Sequence, residues 1–354
     1  MKKFGQIPIS IANKRFTRRL KSKYKKNSKG NGGNSKNSYK DETSVVKLPE
    51  TLNINTHRNE LVKIIFDIRK MFKSNPSNFV LDHSTIKKVD IPALLVLASE
   101  IQRNTFYRSL TLRSQAKYRP KDPQINKMLE CIGYWKHFGI NTISNNNINS
   151  NFHLKITDGC MANFAGYTKI RQFYATHIGI SNLDIIEKLD DAITESIANA
   201  TEHAYTVEKI LRKRSSLQMP KHWWLCGFYD EESKILQFIC YDQGVGLKAA
   251  VNYNDTIGIR RNIKDLMSFS DSAVIKTLLK KDLTKYNKKD RGYGFKRFEE
   301  LIDEYDTGKL EIYSQKGYCC VDKNSGTKTI SQKDFTGVIE GTLISWQLKI
   351  EDKK

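Results

Sequence analysis

One apolar run, Ile235-Leu-Gln-Phe-Ile-Cys-Tyr241, stops abruptly at Asp242-Gln-Gly244-Val-Gly246. A second run, Trp223 to Tyr229, lies just before it, and Asp230-Glu-Glu-Ser-Lys234 between them reads as a turn. Two such runs around a polar turn predict a β-hairpin, so this half of the chain is expected to fold around antiparallel strands. Further strands are expected at 309–314, near Val321, near 327–331 and at 343–349, completing a mostly antiparallel sheet. The strand ending at Tyr241 opens into a loop of one carboxylate and two glycines. Such a loop lets a flat ligand lie against backbone while Asp242 accepts a hydrogen bond from the ligand's edge.

Three other short motifs stand in fixed order around this loop. Upstream, apolar spacing predicts a helix from Asp184 to Tyr205 and sets Glu195 and Asn199 four residues apart on one face. A carboxylate beside an amide oxygen suits a water molecule and a magnesium ion. Downstream, Gly292-Tyr-Gly294 precedes a helix expected from Phe295 to Tyr305, where free N–H groups and the helix dipole favour phosphate. Gly341-Thr342 leads into the last strand. Each match alone is common; their order and structural context give them weight.

On these residues the C-terminal region, about 180–350, resembles the Bergerat-fold ATPase domain of the GHKL superfamily, which includes gyrase B, heat-shock chaperones, histidine kinases and MutL. Asp191-Ala-Ile-Thr-Glu195-Ser-Ile-Ala-Asn199-Ala-Thr-Glu-His203-Ala204 is similar to the family's N box. The resemblance implies a two-layer α/β sandwich that binds ATP and Mg²⁺. It implies that Asn199 holds the magnesium through its amide oxygen and that Glu195 is the general base. Asp242 would accept the adenine amine, Gly244 and Gly246 would shape the adenine loop, and Thr342 would support the adenine end. Arg291, Gly292, Gly294 and Lys296 would face the phosphates. Leu247 to Asp290, long and rich in Lys and Asn with a helix at about 271–281, reads as a lid.

The region before it alternates strands and helices: a strand at 44–49, a helix at 59–72, a strand at 78–82 and a helix at 91–101. A strand at 110–113, a helix at 124–138, an Asn-rich loop at 141–151 and a strand at 152–156 follow. This predicts a small α/β domain over 45–158, with the ATP-binding domain over 159–354. Phe79-Val-Leu-Asp82 and Lys88-Val-Asp90-Ile91-Pro92-Ala93-Leu94-Leu95 give it a resemblance to a STAS-like domain. In phosphorylated members of that family a Ser follows the Asp. Here Ile91 and Pro92 follow Asp90, so a phosphoserine switch at that position is not expected.

The formal net charge is +22, from 60 Lys and Arg against 38 Asp and Glu. Thirteen of the basic residues and none of the acidic ones lie in 1–40, so the rest of the chain carries 47 against 38. A segment this polar cannot offset its ordering entropy, so 1–44 is expected to be a disordered basic tail. Its natural partners are nucleic acid or an anionic surface, bound by counterion release. The six cysteines show no CxxC pair and no zinc spacing, and read as reduced and structural. With no signal-peptide core and no run of spanning length, the chain reads as cytoplasmic with no transmembrane segment.

Three functions fit this reading: an ATPase acting as a regulatory switch on a protein partner, an anti-sigma-type serine/threonine kinase, and a nucleic-acid clamp gated by ATP. A homodimer is one arrangement this reading leaves open. A histidine kinase is disfavoured, because His177 lies in no long helical hairpin ahead of the ATPase region. The transducer domain of gyrase-type relatives is not expected, since the sequence stops at Lys354.

Overall fold

The computed structural model describes residues 44–74, 79–108, 116–138, 153–159, 183–205, 222–230, 232–253, 268–280 and 294–350. The basic tail, the strand expected at 110–113 and the Asn-rich loop at 141–151 lie outside them, as do Cys160, Arg291 and Gly292.

The N-terminal half opens with β1 (Ser44–Lys47) and β2 (Thr51–Leu52), followed by α1 (Arg58–Ser74), β3 (Phe79–Asp82), β4 (Lys88–Val89) and α2 (Ile91–Arg108). β1 pairs in parallel with β3, and β2 with β4. α1 buries Leu61, Ile64, Ile65, Ile68 and Phe72, the helical stripe expected from the sequence. α2 is buried on every side along Ala93 to Ala98, as befits a helix inside a core. Asp90 caps it: Oδ1 accepts from the Ala93 N–H at 2.8 Å and Oδ2 from the Ile54 N–H at 2.9 Å.

The helix expected over 124–138 is two pieces. α3 (Pro123–Cys131) starts at an Asp122 N-cap, and a 3₁₀ turn covers Tyr134–Phe138. Between them Gly133 has φ +71°, the left-handed conformation that ends a helix. The break turns Tyr134, Trp135 and Phe138 onto the ring of His83.

The C-terminal half holds β5 (His153–Gly159), α4 (Leu183–Glu202), β6 (Trp223–Asp230), β7 (Ile235–Asp242), α5 (Leu247–Tyr253), α6 (Asp271–Lys280) and α7 (Gly294–Asp303). β8 (Gly308–Asn324) and β9 (Thr327–Lys349) close the chain. The five strands form one antiparallel sheet in the order β5-β6-β7-β9-β8. The expected β6–β7 hairpin is present. The short strands expected near Val321 and 327–331 are parts of β8 and β9, joined through Ser325 and Gly326, which both take positive φ.

Each face of this sheet is covered. Leu225, Phe238, Cys240, Ile312, Ile344 and Trp346 pack in one core with Leu189, Ile193, Phe298 and Leu301 from α4 and α7. The opposite face, with Trp224, Ile239, Tyr241, Tyr313 and Leu343, belongs to the same core as Ile68, Leu94 and Leu97 of α1 and α2. The mixed α/β architecture expected from the sequence is therefore present, and the expected boundary near residue 158 falls within a sheet strand. Thr43–Lys354 form one compact unit. Among the described residues the five cysteines are free thiols, and no helix is long and apolar enough to cross a membrane.

Candidate functional site

α4 supplies the first motif. Leu189, Ala192, Ile193, Ile197 and Ala200 hold the helix against the sheet, so Glu195 and Asn199 fall on a half-exposed neighbouring stripe. Their side chains meet: Asn199 Nδ2 donates to Glu195 Oε1 at 3.4 Å, leaving the amide oxygen free of that bond. Partial burial raises the Glu195 carboxyl above its usual range, with Arg297 and His203 opposing that shift. Arg297 of α7 stands 3.7 Å from Glu195 Oε2 and 3.9 Å from Asp191 Oδ2.

The second motif begins where β7 ends. Side chains alternate across a strand, so Asp242 shares the α4 face with Leu236, Phe238 and Cys240. In register it pairs with Thr342 of β9, which pairs with Ser314 of β8. A row Asp242-Thr342-Ser314 thus crosses one end of the sheet, with the Ser314 and Thr342 hydroxyls 3.4 Å apart. Asp242 Oδ1 accepts from the Gly244 N–H at 2.7 Å, and burial pushes its pKa up to about 7.

Glycine is required at two points of this junction. A side chain on Gly341 (φ +84°) would strike the Asp242 carbonyl, and one on Gly244 would strike the Ala204 carbonyl. The contact at Gly244 joins the first two motifs. Ala204 N–H donates to Asn199 O at 3.0 Å, and Ala204 O accepts from the Val245 N–H at 2.8 Å. The turn that follows α4, a few residues after the acid–amide pair, is therefore the support of the Asp242 loop. Tyr205 adds to it, accepting from the Gln243 N–H at 3.0 Å and donating to His222 O at 2.6 Å.

The N-terminal half buttresses the same loop. Gln243 Nε2 donates to Ser99 Oγ of α2 at 3.1 Å, and the Tyr241 hydroxyl donates to Glu340 O at 2.8 Å. The Glu340 carboxylate takes one bond from Arg69 of α1 and one from Arg103 of α2, both at 3.0 Å. Both arginines also hold the buried Glu100. Burial opposes ionisation of Glu100, yet Arg103 and Arg69 hold its pKa at about 2. Arg58 of α1 donates to the carbonyls of Gln315 and Gly337, the latter at 3.1 Å.

Of the residues expected to form the site, Glu195 and Asn199 are in contact, Asp242 and Gly244 are bonded, and Thr342 lies opposite Asp242. Gly246 takes φ +82° against the Gln315 side chain, and Gly294 opens α7. Lys296 is paired with Glu300 at 3.5 Å, and the neighbouring Arg297 faces the acid–amide pair instead. Arg297, Ser314, Tyr205 and the Arg69–Glu100–Arg103–Glu340 group were not picked out from the sequence. Only Glu100 and Arg103 left a trace there, as opposite charges three residues apart continuing an apolar helix.

No group of three or more His, Cys, Asp or Glu able to hold a metal occurs among the described residues. The donor set at Asn199, one amide oxygen with a carboxylate alongside, suits a magnesium ion that takes its remaining oxygens from phosphates and water. No protein-family model matches the sequence, and no curated protein is similar to it.

Proposed function

We propose that the chain is a magnesium-dependent ATP-binding protein of the GHKL type, an ATPase that works as a regulatory switch through closure of the 247–290 segment. The observation that carries this reading is the junction of three motifs. The turn that follows α4, after Glu195 and Asn199, supports the Asp242–Gly246 loop, and Asp242 lies opposite Thr342 with Gly341 on its carbonyl.

In this reading the Asp242 carboxylate accepts from the adenine amine, beside a loop whose glycines let the ring approach backbone. Asn199 would offer its amide oxygen to magnesium, which when bound neutralises phosphate charge. Glu195 orients the attacking water and takes its proton. The closing segment is rooted at both described parts. The Leu247 N–H donates to Ser314 Oγ at 2.9 Å, and Ser272 N–H and Oγ donate to Asp334 at 3.0 and 2.6 Å. Closure is thus expected to keep α6 on the β8–β9 hairpin.

A hydrolysis assay paired with calorimetry tests this. Glu195→Ala is expected to keep ATP affinity within a few-fold while turnover falls by about 100-fold or more, the usual scale for a lost general base. Unchanged turnover in that variant would remove Glu195 from the chemistry.

A further inference from the structure

The proposal here rests on the ATP reading above and deepens it. We propose that Arg297 is the residue by which the site distinguishes a nucleoside triphosphate from a diphosphate, trading two loose carboxylate contacts for the terminal phosphoryl group.

Arg297 lies in the first turn of α7, and its side chain is 39% exposed. Its two acidic neighbours both come from α4 and stand at 3.7 and 3.9 Å. Neither separation is a hydrogen bond, so toward the described residues the arginine is held by charge alone and loses little on moving. The surroundings are otherwise rich in negative charge: Asp191, Glu195 and Glu202 lie along α4, with His203 beside them. A triphosphate entering there meets carboxylates unless a cation intervenes. Lys296 is engaged with Glu300, so among the described residues Arg297 is the cation that stands against the acid–amide pair.

The direction of discrimination follows from chemistry. A general base at Glu195 must sit where water meets the terminal phosphoryl group, so a guanidinium within 4 Å of that carboxylate reaches the same group. Two parallel N–H bonds to a phosphate are stronger than either present contact. A diphosphate lacks that group, and Arg297 then stays with Glu195 and Asp191.

Titration calorimetry with ATP and with ADP, on the parent chain, Arg297→Ala, Arg297→Gln and Arg297→Lys, decides the matter. ATP affinity is expected to fall by about 10- to 100-fold in the Ala and Gln variants, the scale of one charged hydrogen-bonding group. Lys should recover part of that loss, and ADP affinity should stay within two-fold throughout, which also shows that each variant is folded. Equal loss of ATP and ADP affinity, or no loss of either, overturns the assignment. A parent chain that binds neither nucleotide overturns the ATP reading itself, a distinguishable failure.

Discussion

Asp242 is the residue on which most of the site's physics converges. It is buried at a strand end, takes the Gly244 N–H, and is pushed up to about 7 by burial. Its folded pKa thus lies above the ordinary value of 3.8, so the linked stability is complete below about pH 4 and is lost as pH rises through about 7. Thermal unfolding of the ligand-free protein is expected to show a decline across this window that Asp242→Asn reduces. An undiminished decline in that variant would assign the titration elsewhere, with Asp90, raised to about 6 by burial, the first alternative. The Glu195–Asn199 and Asp242–Gly244 contacts were legible in the sequence, because helical spacing sets the first pair on one face and a strand running into a glycine loop sets the second two residues apart. Arg297 was not, since nothing local says which acid a helix-borne arginine will face.

At the scale of elements, α1 and α2 are tied to β9 by the Arg69–Glu100–Arg103–Glu340 group. Glu340 immediately precedes Gly341 and Thr342, so these helices act on the strand that lies against Asp242. Removing one partner of a buried ion pair leaves the other uncompensated, and Glu100→Gln is expected to cost about 3–5 kcal/mol in denaturant unfolding. A loss under 1 kcal/mol would show that the pair is not buried in solution. The helices themselves were readable from apolar spacing, as in α1 and α4. The break at Gly133 was missed because a glycine inside an amphipathic pattern does not announce a positive φ. β8 and β9 read as shorter strands because apolar residues are sparse from Thr327 to Val338, where Ile330, Phe335 and Val338 make no regular alternation to mark the strand.

At the scale of the whole molecule, the sheet is the shared centre of both halves. Strands β6 and β7 are buried almost throughout, where a sheet with one wet face would alternate. That burial left its mark as apolar runs interrupted only by Gly227 and Gln237, but which elements supply the second cover is a long-range fact no local pattern holds. A fragment beginning at residue 160 would bare Trp224, Ile239, Tyr241 and Leu343 and lose β5. It is expected to be insoluble or molten, whereas residues 43–354 should unfold in one cooperative calorimetric transition. Two separated transitions would show instead that the halves are independent. The ATP reading rests on the Asp242 loop at the end of β7. Its most direct test is calorimetric titration of Mg·ATP into the parent and into Asp242→Asn. An adenine contact at Asp242 predicts saturable binding by the parent and at least about 10-fold weaker binding by the variant, the scale of one lost hydrogen bond to a charged group. Equal affinity of the two proteins, or no binding by the parent, would contradict it.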